Sequence, residues 1–222
     1  MTIDKNLPRR ASGRHRLLRS MRIGLWVVVG LVASLLLGWY QTDGPGARRD
    51  PEQAIQKNKL GALAPGFQLT THDGKPFTYN DIAGKPSLLF FGFLSCPDVC
   101  PTTLNDISSW LEQLGDDGDR LNIVFVSVDP GRDTYQNMSE YISSFDPRIS
   151  GVVGPHNELR KLTTPLGAFY ERVPQEGSNY TVNHTASVYL LDSTAAVHSL
   201  IDFHENRDIA VRKIRRLLPA EP

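Results

Sequence analysis

The sequence is short of the side chains that build a closed metal site or a structural crosslink. It has two cysteines, Cys96 and Cys100, and one methionine, Met138, beyond its first 60 residues. Two thiols supply half of the four ligands that a structural zinc site takes. A disulfide between them would close so short a loop that it removes little chain entropy. The pair therefore points to chemistry rather than to a crosslink.

The sequence also lacks an excess of charge of either sign. Its 24 basic and 24 acidic residues give a formal net charge of zero, so bulk charge predicts no nucleic-acid partner. The charges are unevenly placed, because residues 1–22 contain seven Lys or Arg and one Asp, a net of +6 (seven minus one). The remainder of the chain must then carry −6.

Residues 23–40 contain no charged side chain. This run of 18 residues is within the range of about 17–25 apolar residues that crosses a bilayer as a helix. It ends in Trp39 and Tyr40, which suit a membrane interface better than a cleavage site. We predict one N-terminal transmembrane helix that acts as an uncleaved signal anchor, with a long signal peptide as the alternative.

The anchor predicts four segments and a location. The basic residues 1–22 would stay in the cytoplasm or the mitochondrial matrix, by the positive-inside rule. Residues 41–60 are polar with Gly and Pro and are predicted to be a linker to a folded domain at 61–222. We expect a single-pass protein of the bacterial inner membrane, with this domain in the periplasm, where thiols tend to oxidise. The alternative is the mitochondrial inner membrane, with the domain facing the intermembrane space.

The folded part alternates strand and helix patterns. Continuous apolar runs at 86–94 and 121–130 are typical of buried central strands, and a third strand is predicted to begin near Thr185. Helix patterns follow the first two runs, and another lies at 206–218. These patterns predict an α/β sandwich. The cysteines would lie in the loop beyond the carboxyl end of the first strand, where open α/β sheets place their sites.

Pro101 affects how the cysteine loop meets the next helix. A proline disfavours helical geometry in the residue before it and suits the first helical position. We therefore predict that the helix begins at Pro101, that Cys100 lies outside it, and that the helix dipole favours a thiolate at Cys100. Two thiolates can form a disulfide or bind a soft, low-coordinate ion such as Cu(I).

A third ligand would make such a metal site tighter. His184 is the first candidate because it directly precedes a predicted buried strand, but spacing alone does not place it near the cysteines. Met138 falls in a helix pattern and is predicted to be a packing residue. Asp129 ends the second buried strand, and its simplest interpretation is an Asp-Pro turn.

Three stretches, FGFLSCPDVCPTTL, VFVSVDPGRDT and YTVNHTASVYLLD, together resemble the SCO/SenC family of copper proteins. The resemblance implies a thioredoxin-like three-layer sandwich with a central mixed sheet. It also implies a copper site formed by Cys96, Cys100 and His184, with Asp129 helping to shape it. The family often has an acid just before the histidine, where this sequence has Asn183. An amide cannot polarise the histidine as a carboxylate would.

The resemblance further implies a function. Members of the family assist assembly of the binuclear copper centre of cytochrome c oxidase subunit II, as copper donors, as thiol reductants of the target's cysteines, or both. We expect Cys96, Cys100 and neutral His184 to bind Cu(I) in a three-coordinate site, or Cu(II) with an added oxygen ligand. Ligand exchange would pass the copper to subunit II. Other periplasmic copper chaperones and thiol reductants are expected as further partners.

Two alternatives remain for the same cysteines. A thiol-disulfide oxidoreductase acting on exported partners would use Cys96 and Cys100 as a redox dithiol, without obligate copper transfer and without a need for His184. Whether the protein is an enzyme therefore stays open. A peroxiredoxin would require the pattern Pro-x-x-x-Thr/Ser-x-x-Cys, and neither cysteine is preceded by it.

Overall fold

The computed structural model describes residues 25–34, 37, 61–177 and 179–218. The chain divides into two compact units, Met1–Lys57 and Asn58–Pro222. The described residues of the first unit are helical. Within the described ranges, no helix is long and apolar enough to cross a membrane. Part of the predicted anchor at 23–40, and all of the segments 1–22 and 41–60, lie outside the described residues.

The described part of the second unit has nine strands and four α-helices. The strands are β1 (Gln68–Thr71), β2 (Pro76–Thr78), β3 (Ser87–Gly92), β4 (Asn122–Ser127), β5 (Ile149–Val153), β6 (Tyr170–Pro174), β7 (Tyr180–His184), β8 (Val188–Leu191) and β9 (Val197–Ile201). The helices are α1 (Val99–Leu114), α2 (Tyr135–Ile142), α3 (His156–Leu166) and α4 (Arg207–Leu217).

Seven of these strands form one mixed sheet in the order β2-β1-β5-β4-β3-β8-β9. Its centre is parallel, because β4 pairs in parallel with both β3 and β5, whereas the flanking pairs are antiparallel. Every residue of β3 is buried, as expected of a strand with packed layers on both faces. The prediction of an α/β fold with a central mixed sheet is therefore confirmed.

Apolar faces of the helices complete the core around this sheet. Helix α1 buries apolar side chains at helical spacing and contacts α4, which also packs on β8 and β9. Helix α2 packs on β5, where the fully buried Met138 lies against Gly151. Phe90 of β3 and Phe125 of β4 stack between neighbouring strands at 5.8 Å. The prediction that Met138 is a packing residue is confirmed.

Strands β6 and β7 form a separate two-stranded antiparallel ribbon. The sequence predicted that His184 directly precedes one long buried strand, and this is wrong. His184 is the last residue of β7, opposite Tyr170 of β6, and β8 begins only at Val188. The run was misread because residues 185–187 carry the chain from the ribbon to the main sheet. The ribbon, not the main sheet, therefore holds His184.

Candidate metal centre

The loop after β3 carries the first cysteine. Cys96 is half-buried, and its N–H donates to the carbonyl of Phe93 at 3.2 Å. The N–H of Leu94 donates to the carboxylate of Asp133 at 3.1 Å, and this carboxylate also accepts from the hydroxyl of Ser127 at 2.6 Å. Asp133 thus ties the loop to the end of β4. Burial raises the pKa of this carboxyl group.

The second cysteine lies within helix α1, contrary to the sequence prediction. The helix begins at Val99 with Asp98 as its N-cap, so Cys100 and Pro101 are the second and third helical residues. A proline is tolerated there because the N–H groups of the first turn have no partner within the helix. The N–H of Cys100 instead donates to the sulfur of Cys96 at 3.3 Å.

Gly92, the last residue of β3, leaves room for the buried thiol. A Cβ atom at this position would lie 2.7 Å from Sγ of Cys100 and 2.6 Å from the ring of Phe125. Both of these side chains are fully buried. The absence of a side chain at Gly92 therefore fixes where the sulfur of Cys100 sits.

His184 completes the group from the ribbon. Its Nε2 lies 3.5 Å from Sγ of Cys100, and its Nδ1 lies 3.0 Å from the carbonyl oxygen of Thr185. A carbonyl only accepts hydrogen bonds, so Nδ1 carries the proton and Nε2 turns its lone pair toward the cysteine. The imidazole makes edge contacts with Phe90 and Phe93, at 6.1 and 5.8 Å between ring centroids.

The structure brings together the three ligands expected from the sequence. The donor atoms of Cys96, Cys100 and His184 all lie within 4.8 Å of one another, and the three residues could hold a metal ion. In the part of the chain that the structure describes, this is the one such group. Two sulfurs and one imidazole nitrogen suit a soft ion such as Cu(I), whereas structural zinc takes a fourth ligand.

The two thiols ionise very differently. The hydrogen bond from Cys100 lowers the pKa of the half-buried Cys96 to about 4, with a smaller contribution from His184. The contact with Cys96 and burial together raise the pKa of Cys100 far above its usual range. The prediction of a thiolate at Cys100 is therefore wrong for the metal-free site. The helix N-terminus stabilises charge on the sulfur outside the helix, through the N–H of Cys100.

Asp129 lies apart from the three donors. Its backbone carbonyl accepts from the N–H groups of Arg132 and Asp133, which forms the expected turn. Its carboxylate is fully buried and binds the side chains of Arg132, Arg172 and Tyr180. The carboxylate therefore contacts the ribbon that carries the histidine rather than the donor atoms themselves.

Asn183 does not provide the hydrogen bond at the histidine. Successive side chains of a strand point to opposite faces, and Asn183 is exposed on the face away from His184. The partner of Nδ1 is the carbonyl of Thr185. A carbonyl oxygen from the chain itself thus occupies the position where a polarising group would act.

Sequence reasoning missed four residues around the site: Arg132, Asp133, Arg172 and Tyr180. The stretch DPGRD, which places two acids and an arginine directly after a buried strand, was the available indication for the first two. No local pattern marks Arg172 or Tyr180, because their role depends on how the ribbon docks.

Comparisons with known proteins agree with this geometry. A family model described as SCO1/SenC matches residues 55–219. Yeast SCO2, a mitochondrial protein, is 34% identical over 76% of this chain and 58% of its own length. An SCO2-like protein of Rickettsia prowazekii is 34% identical over 75% of this chain and 80% of its own. The chain thus spans little more than half the length of the yeast relative.

Solved structures of similar proteins include two described as having copper bound. ScoI of Bradyrhizobium japonicum is 41% identical, with a TM-score of 0.65 over 72% of this chain and 99% of that one. Yeast Sco1 is 31% identical, with a TM-score of 0.64 over 71% of this chain and 87% of that one. The mixed α/β fold described above matches theirs.

The depressed pKa of Cys96 predicts unusual reactivity. We expect iodoacetamide to alkylate Cys96 at pH 6 at a rate close to that at pH 8, because a thiol of pKa about 4 is already ionised at both pH values. The site of labelling is read by mass spectrometry after proteolysis. Cys100→Ser should move the reactivity profile of Cys96 to higher pH. A parent profile that rises only between pH 8 and 9 would contradict the assignment.

The close contact at Gly92 predicts a local effect of a single methyl group. Gly92→Ala should destabilise the fold by about 1–3 kcal/mol through overpacking and should displace Sγ of Cys100. Chemical denaturation and the pH profile of Cys96 alkylation measure the two effects. Gly151→Ala is the matched control, since its Cβ would crowd Met138 instead. Equal thiol reactivity in the two variants would show that Gly92 does not position Cys100.

Proposed function

The chain belongs to the SCO1/SenC family, and from this premise we propose that it is a membrane-anchored copper-binding protein that delivers copper to the binuclear site of cytochrome c oxidase subunit II. One observation carries the proposal: two sulfurs and one imidazole nitrogen lie within 4.8 Å of one another. Copper-bound structures of similar proteins from B. japonicum and yeast support copper as the ion.

The protonation of the donors fits capture of Cu(I). Cys96 is a thiolate and half-exposed, so it is the sulfur that an incoming ion meets first. Cys100 carries a proton in the metal-free site, and binding through its sulfur would release that proton. Nε2 of His184 presents a lone pair and has no proton to lose. Copper enters and leaves as Cu(I), so the exchange needs no electron donor.

Release is proposed to proceed by stepwise exchange of ligands. A three-coordinate ion leaves room for an incoming thiolate of subunit II, which would displace one donor before the others leave. Cu(II) with an added oxygen ligand is a further state of the same site. Asp129 and Asn183 are proposed to act at one remove from the ion, because neither contributes a donor atom within the group.

The proposed cellular arrangement follows the sequence prediction. Residues 23–40 would anchor the protein, residues 41–60 would tether it, and residues 61–222 would form a thioredoxin-like, three-layer copper-binding domain. Such an anchor would place that domain in the periplasm at the bacterial inner membrane, or in the intermembrane space of mitochondria. Subunit II, copper chaperones and thiol reductants of that compartment are the proposed partners.

The acidic thiol of Cys96 favours a second candidate function, thiol-disulfide exchange. The Cys96 thiolate would attack a partner's disulfide, forming a mixed disulfide and releasing one partner thiol after it takes up a proton. Cys100, deprotonated with Nε2 of His184 at 3.5 Å as acceptor, would then attack Cys96. The Cys96–Cys100 disulfide forms and the second partner thiol leaves. Two electrons pass to the partner, and both sulfur donors are lost to copper.

Removal of the nitrogen donor tests the copper proposal. The reduced full chain in detergent should bind one Cu(I), with two sulfurs and one nitrogen in its X-ray absorption spectrum. His184→Ala should lose the nitrogen and bind at least about 10-fold more weakly, measured by competition with a chromophoric Cu(I) chelator. His198→Ala, which removes an exposed histidine on β9, is the control. Parent-like affinity in His184→Ala would refute the proposed site.

Copper loading and the disulfide should exclude one another. The copper-free reduced chain should form the Cys96–Cys100 disulfide when treated with oxidised glutathione, because the two sulfurs are neighbours. The Cu(I)-loaded chain should resist oxidation until copper is removed. Intact mass, which records the loss of two hydrogens, measures both reactions. Disulfide formation at equal rates with copper still bound would contradict copper coordination by the two sulfurs.

A further inference from the structure

The β6–β7 ribbon needs an anchor outside itself. It is not hydrogen-bonded into the seven-stranded sheet, and an isolated two-stranded hairpin is only marginally stable in water. Yet His184, at the end of β7, approaches the sulfur of Cys100 to 3.5 Å. Some contact between the ribbon and the main sheet must therefore set the position of the histidine.

The strongest such contact is a cluster that we name the latch, formed by Asp129, Arg132, Arg172 and Tyr180. Tyr180 donates its hydroxyl to the buried carboxylate of Asp129 at 2.8 Å. Nη2 of Arg172 approaches the same carboxylate oxygen at 3.4 Å, and Arg132 binds the other oxygen. Arg132 also donates from Nη1 to the backbone carbonyl of Tyr180 at 3.0 Å.

Stacking contacts connect the latch to the metal centre. The guanidinium carbons of Arg132 and Arg172 lie 3.9 and 4.6 Å from the ring centroid of Tyr180. Arg132 also lies 5.9 Å from the ring of Phe93. Phe93 in turn makes its edge contact with His184 at 5.8 Å. A continuous chain of contacts thus joins the latch to the imidazole.

The register of the ribbon puts the latch and the ligand on one face. Tyr180, Val182 and His184 alternate along β7 and share a face, and Val182 is buried. Arg172 is the cross-strand partner of Val182. Four residues of strand separate Tyr180 from His184, about 13 Å at 3.3 Å per residue. A shift at one end of this short, rigid element moves the other end.

The main-sheet side of the latch is built to receive the ribbon. A Cβ atom at Gly131 would lie 2.3 Å from Nη2 of Arg172 and 3.2 Å from the hydroxyl of Tyr180. Asp129 has no exposed surface, and a buried carboxylate is costly when a partner is removed. The ribbon therefore supplies two of the groups that the buried charge requires.

We propose that the latch positions His184, and that Arg172 and Tyr180 are positioning residues for the metal centre even though neither supplies a donor atom. Closing the latch holds the ribbon so that the imidazole faces the two sulfurs. Opening it would free the ribbon and leave a site of two sulfurs. The inference rests on the copper role proposed above, but the anchoring itself has a test that needs no metal.

Arg172→Met in the full chain tests the latch. Hydrogen exchange of the reduced, copper-free protein should rise in β6 and β7 relative to the parent, with the main sheet unchanged. Cu(I) affinity, measured by chelator competition, should fall by about 10- to 100-fold, as for other residues that orient a metal ligand. X-ray absorption should show the nitrogen of the copper shell weakened and both sulfurs retained. Arg172→Lys should recover part of the affinity, since it restores a cation.

Two further variants separate the latch from general damage. Gly131→Ala should push Arg172 from its seat without removing any charge and should reproduce the loss in weaker form. Glu171→Gln removes a charge from the exposed, outer face of the ribbon and should match the parent. Parent-like ribbon exchange and nitrogen signal in Arg172→Met would overturn the inference. A parent that binds no copper would refute the proposed function, while ribbon exchange would still decide the latch.

Discussion

The packing at the carboxyl end of β3 is the constraint on which the metal centre depends. Gly92 leaves the space that Sγ of Cys100 occupies, and the N–H of Cys100 reaches the sulfur of Cys96. Phe90 and Phe93, from the same strand and the residue after it, pack against the ring of His184. One buried strand end thus places two donors directly and shapes the seat of the third.

The sequence was sufficient for the parts of this arrangement that depend on local pattern. The continuous apolar runs that became β3 and β4 predicted a buried central sheet, and the cysteines were expected beyond the end of β3. Both predictions are confirmed because a run of apolar residues has few other uses in a domain of this size. The family resemblance then selected His184 from several histidines, which spacing alone could not do.

The remainder depends on tertiary contacts that no local pattern encodes. Eighty-four residues separate Cys100 from His184, and only the docking of the ribbon brings them together. The helix boundary was misjudged because proline is tolerated throughout the first helical turn, not only at its first position. The ionised sulfur was misassigned because burial, which opposes charge on Cys100, outweighs the helix dipole. Arg172 and Tyr180 were invisible for the same reason as the ribbon.

The donors of the site have two independent supports, and this division suits the transfer of an ion. The β3–α1 connection fixes both sulfurs, whereas the imidazole is held on a ribbon outside the main sheet. The nitrogen donor could therefore withdraw without disturbing the sulfurs, which would open a coordination position while the ion stays bound. A site built on one rigid element would have to distort all of its donors at once. Separate supports allow exchange to proceed one ligand at a time, as handing an ion to another protein requires.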